Sequence, residues 1–173
     1  MSKSFSDLGI SSLLQQSLSD LQLSVPTDIQ QKAIPIILGK TEDVVAIAKT
    51  GTGKTAAFCL PLLQLVDPKD SNVQALILVP TRELGHQIHA NLVSYASLSS
   101  DISTAALCGG ISIKPQIERL KSTPQIVVAT PGRLLDLISK DAISLKALKY
   151  LILDEADEMV NAFKDNLDQI IKD

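Results

Sequence analysis

The chain of 173 residues contains no tryptophan, and aromatic side chains make up only 3% of it. That shortage argues against the stacking platforms on which some sheets hold RNA bases, so nucleic-acid contact would have to run along the backbone. Positive charge is not in excess either. Sixteen Lys and Arg stand against nineteen Asp and Glu, for a net charge of −3 and a pI near 5.3. No global basic field advertises a polyanionic partner, although a local patch and backbone amides can still grip phosphate. There are two cysteines, Cys59 and Cys108, and they lack metal-ligand spacing. Reduced, buried thiols in a cytosolic protein are expected rather than a disulfide. Met1-Ser2-Lys3-Ser4-Phe5 lacks the apolar core of a signal peptide, and no stretch approaches a membrane span, so a soluble cytoplasmic protein is expected. Repeats and low-complexity tracts are missing too.

What is present is a normal globular composition, 45% hydrophobic and 20% charged, in a chain long enough for one well-cored domain. Four short aliphatic runs stand out: Val44–Ala48, Ala75–Val79, Gln125–Ala129 and Tyr150–Leu153, with Ile102–Leu107 a weaker fifth. They are apolar without alternation, as parallel strands covered on both faces should be. Helix-like segments separate them, near residues 54–66, 82–96, 114–121 and 132–139. Two more helices, near residues 11–21 and 27–38, precede the first run, with Pro35 predicting a kink in the second. Strand–helix alternation predicts a doubly wound, mainly parallel α/β sheet with helices on both faces. Residues 1–40 are expected as a helical region packed on a core domain of residues 41–173. Every strand end then delivers its loop to one edge of the sheet.

Ala48-Lys49-Thr50-Gly51-Thr52-Gly53-Lys54-Thr55 follows the first run and opens a helix. Apart from Ala48 in place of the first glycine, it fits the phosphate-loop pattern. Gly51 and Gly53 let backbone amides of Thr50 to Lys54 approach phosphate oxygens. Lys54 can reach the β- and γ-phosphates, and the Thr55 hydroxyl can ligand Mg2+. The competing reading is a glycine-rich turn that closes a βα unit and binds nothing; strand, loop, Lys-Thr and helix in that order argue against it. Asp154 and Glu155 end the last strand. Alone they could be helix N-terminal acids that answer the macrodipole. With the phosphate loop upstream, Asp154 is expected as the Mg2+ partner, largely through water, and Glu155 as the residue that activates water.

Asp154-Glu155-Ala156-Asp157, taken with that loop, resembles the DEAD-box family of ATP-dependent RNA helicases. Further segments agree in order and spacing. Pro80-Thr81-Arg82-Glu83-Leu84 is similar to the family's motif Ia, Gly109-Gly110 to its glycine doublet, and Thr130-Pro131-Gly132-Arg133 to its motif Ib. Pro26-Thr27-Asp28-Ile29-Gln30 resembles the Q motif, and Phe5 occupies the place of the isolated aromatic before it. The resemblance runs from Phe5 to about Asp173 and implies a RecA-like P-loop domain that binds ATP and Mg2+. It implies that Gln30 hydrogen-bonds adenine and Phe5 packs on it. It also implies that Thr81, Arg82, Gly109, Gly110, Thr130, Gly132 and Arg133 line the RNA sugar-phosphate backbone. Lys54, Asp154 and Glu155 would carry catalysis.

Some positions depart from the family pattern. Gln22 and Leu23 replace the usual Gly and aromatic at the start of the Q motif, Asp28 stands where Pro is common, and Gly85 replaces the customary Ala of motif Ia, which should loosen that helix start. His86 and His89 have no acid or Cys companions and read as solvated or packed. Asp157 reads as structural or as a relay, and Glu83 as structural. The resemblance further implies a second RecA-like domain with an arginine finger as partner, and a monomer with little turnover from this domain alone. Two other readings are a different P-loop ATPase, which motifs Ia and Ib argue against, and a non-catalytic module, which Lys54, Thr55, Asp154 and Glu155 argue against.

Overall fold

The computed structural model of the chain describes residues 3–40, 42–98 and 101–172. Residue 41, where the core domain was expected to begin, and residue 173, its expected end, lie outside them. The chain falls into two compact units, Met1–Leu65 with Asn91–Ser100, and Val66–Ala90 with Asp101–Asp173. The helical first unit thus runs past residue 40 to include the phosphate loop.

The first unit holds α1 (Ser12–Asp20), α2 (Asp28–Gly39) and α3 (Lys54–Leu65). Local chemistry sets each start. Ser11 caps α1, its hydroxyl accepting from the Leu14 amide at 3.5 Å. The Thr27 amide donates to Gln30 Oε1 at 2.9 Å, half of a capping box that fixes the entry to α2. Pro35 lies inside α2 without ending it. Leu14, Leu18, Ile34, Cys59, Leu60 and Leu62 are all at most 4% exposed and form this unit's apolar interior.

The expected strand at Val44–Ala48 does not form. Its residues are irregular, with Val45 90% and Ile47 93% exposed. Strand propensity describes a residue's fit to a pleated, half-buried surface, but a strand exists only where neighbouring backbones accept and donate its hydrogen bonds. Among the described residues this segment has no ladder partner.

The second unit is built on β1 (Ala75–Leu78), β2 (Thr104–Leu107), β3 (Ile126–Ala129) and β4 (Tyr150–Leu153), alternating with α4 (Arg82–Tyr95), α5 (Lys114–Leu120), α6 (Pro131–Ile138) and α7 (Ala156–Ile170). Of α4, the residues up to Ala90 belong here. All pairs are parallel, in the order β2-β3-β1-β4. Register places Leu76, Val127 and Ala105 side by side, then Leu78, Ala129 and Leu107. These six face α5, α6 and α7 and form one core with Leu120, Leu134, Leu137, Met159 and Leu167. On the opposite face α4 approaches at Gly85, where a Cβ would meet Cys108 Sγ at 2.6 Å and Val79 Cγ2 at 3.2 Å. The doubly wound parallel sheet expected from the sequence is therefore present. Helix α7 is kinked at Phe163 (φ −133°, ψ 23°).

Two buried glutamines tie down the amino ends of the strands. Gln74, at the entry to β1, accepts from the Asp67 amide at 2.9 Å and donates to the Asp67 carbonyl at 2.8 Å. Gln125, at the entry to β3, accepts from the Ser103 amide at 2.8 Å. Such satisfied amides are what make a buried polar side chain affordable in an apolar sheet. Among the described residues, no helix is long and apolar enough to cross a membrane.

Candidate functional site

The carboxyl ends of the four strands deliver four loops to one edge of the sheet. Leu78 pairs with Ala129 and Leu153 in register, and Leu107 with Ala129. Thr81 and Arg82 therefore follow β1, Gly109 and Gly110 follow β2, Thr130 to Arg133 follow β3, and Asp154 and Glu155 follow β4. The Asp154 amide still donates to the Leu78 carbonyl at 3.0 Å, which pins the start of the acidic loop to the β1 end.

These loops are joined to one another. The Gly109 amide donates to Thr130 Oγ1 at 3.3 Å. Arg133 Nη2 donates to the Ile111 carbonyl at 2.7 Å and Nη1 to Gln116 Oε1 at 2.8 Å. Gly110 has φ +82°, and a Cβ there would fall 2.7 Å from Arg82 Nη1. The left-handed turn favours glycine at that position, and the absence of a Cβ leaves room for the Arg82 guanidinium against it. Arg82 also pairs with Glu83, Nε to Oε1 at 2.5 Å. That hydrogen bond, then the opposite charge, holds the Glu83 carboxyl below its ordinary range. Both side chains are more than half exposed, so the pair adds little to stability. Thr81 caps α4, its hydroxyl accepting from the Leu84 amide at 3.2 Å. The seven residues expected to line the RNA backbone thus all lie on the loops and helix starts that follow β1, β2 and β3. Thr81, Arg82, Gly110 and Gly132 are exposed, and Gly109, Thr130 and Arg133 are half-buried.

The acidic loop carries a second departure from regular backbone. Glu155 is left-handed (φ 53°, ψ 51°) and is the N-cap of α7. A non-glycine residue in that region is uncommon and often marks a functional turn. The Glu155 amide donates to Asp154 Oδ1 at 3.1 Å. Asp157 and Glu158 occupy the first turn of α7, where carboxylates suit the helix dipole. The Glu158 carboxyl is raised above its ordinary range, first by its hydrogen bond with Glu155, then by desolvation and the charges of Glu155 and Asp157. Sequence reading passed over Glu158; its place three residues after Glu155, one turn of helix on, was the available signal.

In the first unit, Gly51 (φ +78°) and Gly53 (φ +91°) give the phosphate loop its two left-handed turns, and α3 begins at Lys54 as expected. This is the backbone a phosphate cradle needs, with amides turned inward and the positive end of a helix behind them. Thr52 Oγ1 donates to the Lys49 carbonyl at 2.7 Å. Gln30 is 6% exposed, and its Nε2 donates to the Gly53 carbonyl at 3.0 Å. A Cβ at Gly53 would collide with that Gln30 amide. Gln30 therefore spends one end on the start of α2 and the other on the phosphate loop. Phe5 is 5% exposed and sits in the apolar interior. Thr50 and Gly51 are exposed, while Lys54 and Thr55 are half-buried. A cleft of about 400 Å³ lies between α2 and residues 44–48, reaching Thr52; Phe5, Gln30 and Lys54 are not among its walls.

Among the described residues, no group of three His, Cys, Asp or Glu is placed to hold a metal ion. The donors expected for Mg2+ are a hydroxyl and a single carboxylate acting largely through water, a set that suits this ion and needs no such cluster. Cys59 and Cys108 are buried. Burial raises the Cys108 thiol above its usual range, which makes it inert. His89 is packed, its Nε2 3.1 Å from Thr104 Oγ1, and His86 is exposed.

Comparison with known proteins agrees with this geometry. The family model described as DEAD/DEAH box helicase matches residues 27–173. The ATP-dependent RNA helicase CshA of Listeria monocytogenes is 44% identical over 170 residues, covering 98% of this chain and 32% of that protein. The RNA helicase CrhR of a Synechocystis species is 43% identical over 173 residues, covering 99% of this chain and 35% of that one. The crystal structure of a DEAD box protein from the hyperthermophile Methanococcus jannaschii superposes with a TM-score of 0.91 at 40% identity, over 99% of this chain and 47% of that chain. The chain spans about a third of the length of the two helicases it matches. With a family model over most of its residues and a strand order that sets all four motif loops on one edge, the chain belongs to the DEAD/DEAH box helicases.

Proposed function

We propose that the chain is the ATP-binding domain of an ATP-dependent RNA helicase, coupling ATP binding and hydrolysis to the remodelling of RNA through its sugar-phosphate backbone. The observation that carries this reading is the joined set of loops in the second unit. Arg82 lies against Gly110, Gly109 is bonded to Thr130, and Arg133 to Ile111. Hydroxyls, guanidinium groups and glycine-exposed amides grip phosphate and ribose without reading bases. The scarcity of aromatic residues fits the same mode.

Asp154 and Glu155 stand on the same edge, so nucleic acid and the hydrolytic acids share one rigid support. Lys54 and the amides of residues 50–54 would hold the triphosphate, Thr55 and Asp154 the Mg2+, and Glu155 would orient and deprotonate the attacking water. Bound Mg2+ supplies charge neutralisation on the phosphates. Gln30 would recognise adenine while bonded to the phosphate loop, and Phe5 would support it from the interior. The relatives' remaining length is where an arginine finger would come from, a contribution of about 10³–10⁵ in rate. Two buried thiols suit a reducing compartment, and we place the protein in the cytoplasm.

The test is ATP hydrolysis by the protein with and without nucleic acid. Stimulation by single-stranded RNA of mixed sequence and not by DNA is expected. Equal stimulation by DNA would instead favour a DNA-directed P-loop motor, and no turnover under any condition would favour a non-catalytic module.

A further inference from the structure

Gln116 belongs to none of the motifs, yet it sits where two of them meet. It lies in the first turn of α5 and is 5% exposed. Its Nε2 donates to the Cys108 carbonyl at 2.9 Å, immediately before the glycine doublet. Its Oε1 accepts from Arg133 Nη1 at 2.8 Å. The amide can serve both partners only in this orientation, because the carbonyl needs a donor and the guanidinium an acceptor. The bond to Cys108 is buried and the bond to Arg133 partly so, and a missing partner is costly where water is scarce.

The bond to Cys108 fixes the approach of the chain to Gly109 and Gly110. The bond to Arg133 fixes one arm of the guanidinium fork, and the Ile111 carbonyl fixes the other at 2.7 Å. With two of five N–H donors committed, the plane of the fork is set before any phosphate arrives. Such preorganisation reduces the rotamer freedom that Arg133 must lose on binding. Packing alone would not require this amide, since a methionine would fill the same length and volume.

We infer that Gln116 is a positioning residue for RNA: it locks the glycine-doublet loop to the Arg133 guanidinium, so that both present to the phosphodiester backbone as one surface. This inference rests on the proposed RNA reading of the edge.

RNA affinity should be measured on the protein as encoded, using a single-stranded oligoribonucleotide, as a function of salt, with nucleotide affinity in the absence of RNA and thermal unfolding as fold controls. Gln116→Met should weaken RNA binding by about five- to tenfold with the salt slope unchanged, because Arg133 keeps its charge and loses its aim. Gln116→Glu keeps the acceptor but ties the guanidinium to a carboxylate. It should also weaken binding, with a salt slope shallower by about 0.7, the value of one phosphate contact on a single strand. In an Arg133→Ala background, Gln116→Met should cost under about twofold more.

If both Gln116 variants bind RNA as the wild type does while Arg133→Ala weakens binding, the positioning role is wrong and the RNA surface stands. An equal loss from Gln116→Met with and without Arg133 would likewise overturn it, showing an effect through general fold. If Arg82→Ala and Arg133→Ala both leave RNA affinity untouched, it is the RNA reading of the edge that fails.

Discussion

The two units treat their apolar runs in opposite ways. In the sheet unit, Gln74, Gln116 and Gln125 use both ends of their amides on loops at the strand ends, and the β1 and β3 residues between are fully buried. In the helical unit, the phosphate loop is tied to Gln30, and the apolar segment leading into it holds Val45 and Ile47 open to solvent. On the proposed reading, a surface that receives a long, repetitive polymer gains from being set in advance. The run before the phosphate loop instead leaves exposed the apolar side chains that a paired strand would bury.

The largest effects should come from testing the two halves of the chemistry separately. Glu155→Gln removes the proposed base from the sheet unit and leaves the phosphate loop intact. ATP affinity should be kept while turnover falls by about 10²–10⁴, the usual worth of a positioned general base. Lys54→Ala acts on the helical unit and should weaken nucleotide binding itself as well as hydrolysis. Equilibrium binding of a fluorescent nucleotide beside steady-state hydrolysis separates the two. Normal turnover by Glu155→Gln would remove that residue from its role.

The next comparison sets one isoleucine against another. Ile77 in β1 is 0% exposed and Ile47 is 93% exposed, although both were read from the sequence as strand residues. Ile77→Ala should destabilise the protein by about 2–5 kcal/mol through lost burial and the cavity left behind. Ile47→Ala should stay within about 0.5 kcal/mol, as surface changes do. Urea unfolding measures both. A cost for Ile47 approaching that of Ile77 would mean that residues 44–48 find a ladder partner in solution.

That pair also marks where sequence reading succeeded and where it stopped. Helix limits came within a residue or two because their signals are local: Ser11 and Thr27 before α1 and α2, and Pro131 at the start of α6. The loops after β1 to β4 fall on one edge as expected, because a parallel sheet sends every strand end there; the phosphate loop, expected after a strand that does not form, is not among them. Val44–Ala48 was misjudged because pairing depends on a neighbour far away in the chain, which no run of valines reports. Gln116 was invisible for a similar reason. Its partners lie 8 and 17 residues away, and glutamine is ordinary on any helix surface.

Gly85 shows the same non-local logic at a smaller scale. Alanine is the better helix former by about 1 kcal/mol, so on local grounds Gly85→Ala should stabilise α4. The structure reverses the sign, because the new Cβ would stand 2.6 Å from Cys108 Sγ, and Cys108 and Val79 are both fully buried. Overpacking of this kind costs about 1–3 kcal/mol and outweighs the propensity gain. Gly85→Ala should therefore destabilise, and Cys108→Ala should recover much of the loss, giving a coupling of about 1 kcal/mol in a double-mutant cycle. Simple additivity of the two substitutions would show that Gly85 and Cys108 do not compete for the same space.

His89 gives the smallest effect and tests the sheet unit by pH. Its pKa is lowered, chiefly by burial, and further by the positive charges of Arg119 and His86. A hydrogen bond with the Thr104 backbone opposes these effects without reversing them. In the folded protein His89 thus takes up its proton at lower pH than in the unfolded chain, where it titrates near 6.5. Between those two values the unfolded state holds more protons, so stability rises with pH through the window and is lost as pH falls below about 6.5. One group can contribute no more than about 1.4 kcal/mol per pH unit. His89→Gln keeps a hydrogen-bonding partner for Thr104 Oγ1 and has no proton to gain. Its stability between pH 7.5 and 5.5, followed by urea unfolding, should fall less than that of the wild type. An unchanged pH slope would mean that His89 does not carry the acid sensitivity.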